Sequence, residues 1–297
     1  MRSFQYLAPI PKFEYVAPKT LPELFEALNG HGKELAIIAG GTDLTVALKE
    51  RTLSPEIVVD LRNLGGHLGG IRLAEGLLRI GALATFYQME SSPLVGRYAN
   101  ALRQAAANVG TLQIRTIATL GGNLATASPA ADSAPPLIAL DAKVNLLSGS
   151  GHRALPVQDF FTGVKKNALL PGEIVESVEI PADDELSSAW TRGAVRNENA
   201  LSTVSVAVAT RIGDRRFGIS RVALGAVAPT PILAKGASSA MTGSEATEGE
   251  ADRVATLAAE DSKPISDIRA SAQYRKHLVR VLTRRLILQL LSEASPP

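Results

Sequence analysis

One stretch, Ile37-Ile38-Ala39-Gly40-Gly41-Thr42-Asp43-Leu44, constrains this chain more than any other. Leu35 to Ala39 is an apolar run of strand length. Leu44 to Leu48 has the apolar spacing of a helical turn, so the two glycines fall where strand gives way to helix. Glycine has no Cβ, so the backbone there is free to take positive φ and to come close to a ligand. Amides without partners at a helix start point outward, and the helix dipole favours an anion in front of them. The bland reading of a bare Gly-Gly is a turn whose helix is capped by Thr42 or Asp43. A second stretch, Ile117-Ala118-Thr119-Leu120-Gly121-Gly122-Asn123, repeats the design: an apolar lead-in, threonine, two glycines, an amide side chain. Two glycine loops of one type predict two donor surfaces closing on one diphosphate. Neither is a G-x-G-x-x-G, and neither leads into the Gly-Lys-Ser/Thr of a P-loop.

A length of 297 residues with 45% hydrophobic content is enough for a sizeable core and predicts two domains rather than one. The net charge of +2 leaves no strong footprint for nucleic acid. Cysteine is absent, so the chain offers no disulfide and no thiolate for an iron–sulfur cluster or structural zinc. His31, His67, His152 and His277 lie far apart, in no ligand spacing, and no metal site is expected. No signal peptide and no run of membrane-spanning length is visible, which predicts a cytoplasmic protein without membrane insertion.

In order, Phe13 to Val16 reads as a strand. Thr20-Leu21-Pro22-Glu23 reads as a capping box that opens a helix, which ends at Gly30 and Gly32. The strand into Gly40-Gly41, a short helix and the strand Glu56 to Leu61 complete a small α/β unit. Gly65-Gly66 and Gly69-Gly70 around His67 read as a flexible connector rather than a third ligand loop. Ile71 to Ala74 and Leu77 to Ala82 form a hairpin around Glu75-Gly76. Tyr98 to Val109 is helical and Gly110 stops it; Ala134 to Ala142 is a shorter helix. Lys143 to Leu147, Arg153 to Val157 and Ile174 to Ile180 read as strands. The pattern sets a boundary near Pro171-Gly172. Beyond it come strands at 189–195, 202–212 and 217–227, a weak helix from Leu233 to Met241 and a polar connector to Glu250. A helix from Ala251 to Glu260 and a long one from Ser271 to Glu293 close the chain. On the last, Leu278, Leu282, Leu286 and Leu290 make an apolar stripe, and Lys276, Arg280 and Arg284 a basic one, open to an acidic partner or simply solvated.

The two glycine stretches together closely resemble the FAD-binding subunits of the molybdenum hydroxylases, the family of xanthine dehydrogenase and carbon monoxide dehydrogenase. Gln113-Ile114-Arg115, Ala127-Ser128-Pro129-Ala130-Ala131-Asp132, Pro171-Gly172-Glu173-Ile174 and Asp267 to Arg275 fit the same pattern in the same order. The resemblance implies an α+β fold. A two-subdomain FAD-binding domain of the vanillyl-alcohol-oxidase (PCMH) type would span 1–172, in parts of about 1–62 and 63–172. A smaller C-terminal α/β domain with an antiparallel sheet and helices would span 173–297. It also implies roles. Ile38, Ala39, Gly40, Gly41, Thr42, Asp43 and Leu44, with Ile114, Thr119, Gly121, Gly122 and Asn123, would surround the cofactor, their amides holding the pyrophosphate. Asp132 would bond the ribose or adenine side; a helix cap is its other reading. Leu169 would pack near the flavin or offer its backbone. Trp190 and Arg192 occupy places where the family often has an aromatic and a lysine near the isoalloxazine, and core packing is the alternative for Trp190. Arg196 reads as a salt-bridge residue or a flavin-edge contact. No catalytic acid or base is evident.

The implied activity is electron transfer by FAD. A large molybdopterin-binding subunit and a small [2Fe–2S] subunit would be the partners, in a heterotrimer or its dimer, and NAD⁺ or a quinone the acceptor. The variant with an extra cluster-bearing loop, as in 4-hydroxybenzoyl-CoA reductase, is excluded by the missing cysteines. Rival readings are a self-contained NAD(P)H-dependent flavin reductase and an assembly subunit that has lost FAD.

Overall fold

The computed structural model describes residues 9–29, 34–196 and 199–294. The helix stop expected at Gly30 and Gly32 lies outside them. The first sheet holds β1 (Glu14–Val16), β2 (Leu35–Ile38) and β3 (Ile57–Asp60), parallel and in the order β1-β3-β2. Parallel strands need crossovers, supplied by α1 (Leu21–Asn29) and α2 (Leu44–Lys49). Leu24 and Ala27 of α1 pack on Ile57 and Val59 to form a small core. The glycines at His67 make a single helical turn, α3 (Gly65–Leu68), in place of the expected flexible connector.

The second sheet is antiparallel: β4 (Ile71–Ala74), β5 (Leu77–Gly81), β6 (Lys143–Ser148), β7 (Gly151–Pro156) and β10 (Ile174–Pro181), in the order β4-β5-β10-β6-β7. Short helices cover it: α4 (Phe86–Ser91), α5 (Pro93–Tyr98), α6 (Asn100–Ala107), α7 (Leu112–Arg115), α8 (Leu120–Thr126), α9 (Ala134–Ala139) and α10 (Val157–Phe160). A minor ribbon joins β8 (Phe161–Gly163) to β9 (Lys166–Asn167). β10 is the central strand, paired to β5 on one side and β6 on the other. The turn at Pro171-Gly172 therefore lies inside this sheet, and the chain leaves it only after Pro181. A boundary read there falls one strand early, because the apolar run Ile174 to Ile180 looks alike in either domain.

The third sheet runs β11 (Ser187–Gly193), β12 (Val204–Gly213), β13 (Arg216–Gly225) and β14 (Ile232–Leu233), all antiparallel. Both of its faces are covered along most of its length, and β12 is buried from Val204 to Thr210. Val204, Val206 and Val208 pack under α11 (Lys235–Met241), α12 (Glu248–Asp261) and α13 (Ala272–Ala294), against Leu282, Leu286 and Leu290. The other face carries the small residues Ala207, Ala209 and Ala223, which join the core of the second sheet. Small side chains there let α6 and α9 lie close. Arg284 of the basic stripe pairs with Asp252 of α12 at 2.9 Å, so that stripe is spent partly inside the molecule.

Candidate functional site

A cleft of about 580 Å³ runs between the three sheets, within the usual range for ligand sites. Ile38 to Leu44 line it where β2 ends, Leu61 where β3 ends, and Arg192 and Asn199 to Leu201 from the C-terminal domain. Ligands of parallel sheets sit at the carboxyl ends of strands, and β2 and β3 obey that rule. Ile114, Thr119, Gly121, Gly122, Asn123, Asp132 and Leu169 also line the cleft.

The two glycine segments touch. A Cβ on Gly40 would lie 2.1 Å from the Ile117 carbonyl oxygen and 2.9 Å from the Ala118 Cα, so only glycine lets the backbones meet. Gly41 has a φ of +74°, natural for glycine and costly for others. From Ala39 to Asp43 no backbone N–H donates to an acceptor within the described residues. Asp43 makes no side-chain cap, and the Thr45 hydroxyl donates to the Gly41 carbonyl at 2.6 Å instead of helping those amides. A run of free donors at the mouth of a cleft is an anion cradle.

The second pair of glycines works differently from the first. Leu120 to Thr126 is helical, so Gly121 and Gly122 lie in a first helical turn rather than in a loop. Their amides are spoken for: Gly121 N–H donates to the Ala82 carbonyl at 2.8 Å, Gly122 N–H to Thr119 Oγ1 at 3.2 Å, and Asn123 N–H to the Thr119 carbonyl at 3.0 Å. Gly121 is required for contact, since a Cβ would meet the Ala82 Cβ at 2.6 Å. The donors this segment has left for a ligand are the Thr119 N–H and the Asn123 side-chain amide, Nδ2, neither paired among the described residues.

Asp132 is not a helix cap. Its carboxylate is buried and accepts from the Ser202 hydroxyl at 2.5 Å and from Arg192 Nη1 at 3.1 Å. Burial pushes the Asp132 carboxyl up to about 6, against the pull of both partners. Arg192 also donates to the Ala200 carbonyl at 3.0 Å. Asp132 and Arg192 therefore share one place, which does not suit roles at opposite ends of a dinucleotide. Trp190 takes the core-packing alternative. It is 6% exposed, does not line the cleft, and sits in the core with the helices of the second sheet. It shares a strand face with Arg192, but stands two residues earlier, where α6 crosses: Gln104 Oε1 accepts its backbone N–H at 2.7 Å. Arg196 forms no ion pair among the described residues and donates to the Asn199 carbonyl at 2.6 Å. The Leu169 N–H is taken by Asn167 Oδ1 at 3.0 Å, which leaves Leu169 its side chain and carbonyl.

Residues that sequence reasoning passed over include Leu61, Phe86, Gly110 and Asn199 to Leu201. Leu61 had a signal, its place just past a parallel strand. Gly110 had another: its φ is +53° and Ile114 packs against it, where a Cβ would be 2.8 Å away. Among the described residues, the ionisable ones lining the cleft are Asp43, Asp132, Glu173 and Arg192. Carboxylates outnumber cations among them, and backbone amides are the donors there that suit an anion.

Residues 11–183 match the FAD-binding domain of molybdopterin dehydrogenases, and residues 191–290 the C-terminal domain of CO dehydrogenase flavoproteins. The chain belongs to this flavoprotein family. It is 34% identical over 290 residues to the FAD subunit of nicotinate dehydrogenase from Eubacterium barkeri, covering 95% of this chain and 97% of that one. It is 32% identical over 287 residues to a putative xanthine dehydrogenase FAD-binding subunit of Escherichia coli K12, covering 95% and 98%. Among solved structures, a chain of carbon monoxide dehydrogenase from Hydrogenophaga pseudoflava superposes with a TM-score of 0.92 at 28% identity, over 97% of this chain and all of that one. Quinoline 2-oxidoreductase from Pseudomonas putida 86 gives 0.90 at 32% identity, over 97% and 99%. The cofactor of this flavoprotein is FAD. The cleft fits it: unpaired amides from Ala39 to Asp43 suit a diphosphate, and bare backbone at Gly40 and Gly41 leaves room for one. Among the described residues, no cluster of His, Cys, Asp or Glu fits a metal ion and no helix is long and apolar enough to cross a membrane.

Proposed function

We propose that this chain is the electron-transfer subunit of a molybdenum hydroxylase complex, passing electrons between [2Fe–2S] clusters of a small partner subunit and an acceptor such as NAD⁺ or a quinone. A large molybdopterin-binding subunit converts the substrate in this reading. The observation that carries it is the run of unpaired amides from Ala39 to Asp43, closed against Ile117 and Ala118 by the bare Gly40 backbone. Relatives along almost the whole chain are FAD subunits of dehydrogenases, which supports the partners.

Bound FAD supplies reversible electron uptake and release. The chain's part is placement. Amides of Ala39 to Asp43 would hold the diphosphate from one segment, and the Thr119 N–H and the Asn123 side-chain amide from the other. Each such bond to a charged group contributes about 1.5–3 kcal/mol. Ile114 and Leu169 exclude water along the apolar wall. Arg192, anchored by Asp132 and the Ala200 carbonyl, brings a cation to the cleft from the C-terminal domain.

Co-purification from the native host tests this reading. A complex holding molybdenum, iron and FAD, with flavin but no metal on this polypeptide after separation, is expected. A yellow, metal-free chain that purifies alone and reduces a small substrate with NAD(P)H overturns it.

A further inference from the structure

A carboxamide has two faces of nearly equal shape, one a donor and one an acceptor. Beside a diphosphate the difference matters: Nδ2 attracts and Oδ1 repels. Asn123 lines the cleft, and its Oδ1 accepts from the Ser133 hydroxyl at 2.7 Å. Nδ2, at the other end of the group, has no acceptor among the described residues.

Ser133 is fully buried and occupies the cap position of α9. A serine there ordinarily accepts an amide from the second or third helical residue. In α9 those residues are Pro135 and Pro136, which have no N–H. The Ser133 side chain accordingly makes no cap bond, and its hydroxyl is left for Asn123. Its backbone is held independently: Asp132, the preceding residue, is anchored by Ser202 and Arg192, and the Ser133 carbonyl accepts from Leu137 N–H at 3.3 Å. The hydroxyl is thus delivered by a fixed frame.

We propose that Ser133 is a positioning residue for the cofactor: its hydroxyl locks the Asn123 carboxamide with Nδ2 turned to the FAD diphosphate. This rests on the reading that the diphosphate lies between Ala39–Asp43 and Thr119–Asn123. Ser133 touches no cofactor atom; it holds the Oδ1 end of a carboxamide whose Nδ2 end is then open to the diphosphate.

FAD titrated into the full, FAD-free chain, followed by flavin fluorescence, tests the proposal. Ser133→Ala is expected to weaken binding about tenfold, and Asn123→Ala by at least as much. The double variant should bind no more weakly than Asn123→Ala alone, because the serine has nothing left to orient. Ser133→Cys, a near-isostere with a weak donor, should follow Ser133→Ala and replaces it if that variant does not fold. The melting point of each FAD-free chain separates binding from folding. If Asn123→Ala weakens FAD and the Ser133 variants do not, or if Ser133→Ala costs the same in the Asn123→Ala background, Ser133 has no positioning role. If Asn123→Ala itself leaves FAD affinity unchanged, the placement of the diphosphate falls with it.

Discussion

At the scale of single residues, Gly40 is where space is tightest. A methyl there meets peptide backbone, the Ile117 carbonyl and the Ala118 Cα, and backbone cannot rotate away as a side chain can. Gly40→Ala is expected to cost about 1–3 kcal/mol and to spread the cradle. The purified chain should lose its flavin absorbance band together with several degrees of melting temperature. Asp132 gives a second test. Its folded carboxyl sits near 6 against an ordinary 3.8, burial being the main cause. Across that window the native state holds a proton the unfolded chain has released. The stabilisation from that proton is complete below the window and is lost as pH rises through about 6. Asp132→Asn should remove a slope of up to about 1.4 kcal/mol per pH unit, read from urea unfolding of the FAD-free chain between pH 4 and 7. The glycines and Asp132 could be singled out from sequence, but their partners could not. Gly121 and Gly122 look like Gly40 and Gly41 in the sequence, yet their amides are consumed by Ala82 and Thr119. The first depends on a neighbour far along the chain, the second on a threonine that caps the same helix.

Elements were legible where a long periodic pattern stood alone. Residues 271–293 read as one helix, and the structure has Ala272–Ala294; the strands read at 202–212 and 217–227 are β12 and β13, paired around a turn with φ of +49° at Asp214 and +58° at Arg215. The short helices α4 and α5 were not read. Phe86–Ser91 and Pro93–Tyr98 each have only six residues, too few for an apolar stripe to show. Their caps were nevertheless in the sequence: Thr85 and Gln88 form a capping box, and Ser92 precedes Pro93. Arg275 shows what a sequence signature does at this scale. It is 3% exposed and ties the start of α13 to the Thr203 and Ala226 carbonyls and to Asp267, at 2.8 Å from the last. Arg275→Ala takes this donor from the Thr203 and Ala226 carbonyls, while Asp267 keeps the Arg269 and Ala270 N–H groups, and should lower unfolding stability by about 1–3 kcal/mol, measured by urea denaturation. Arg275→Lys should recover only part of it, since one ammonium cannot reach in the same fork.

Across the whole molecule, the second and third sheets share a core. Trp190, Ala207, Ala209 and Ala223 belong to the same buried cluster as Leu102 and Leu137. Polar links cross the same seam: Ser188 Oγ accepts from Ala101 N–H at 3.1 Å, and Arg192 pairs with Asp132. Two domains that share a core should melt as one. The fluorescence of Trp190, the single tryptophan, should change in the same urea transition as far-UV circular dichroism. A separate earlier change in either signal would show that the C-terminal domain unfolds by itself.

The sequence by itself determined the strand and helix on either side of Gly40-Gly41, the order of strands and helices in the C-terminal half, and, through matched motifs, the family. Those are local properties: backbone freedom at glycine, periodicity, and the donors a proline lacks. Tertiary structure decided which amides remain free for a ligand, that Trp190 serves the core while Arg192 reaches the cleft, and that β10 closes the second sheet rather than opening the third. Each of those outcomes depends on what a residue meets across the fold, and a hydrogen bond or a clash between distant segments leaves no periodic trace in the chain.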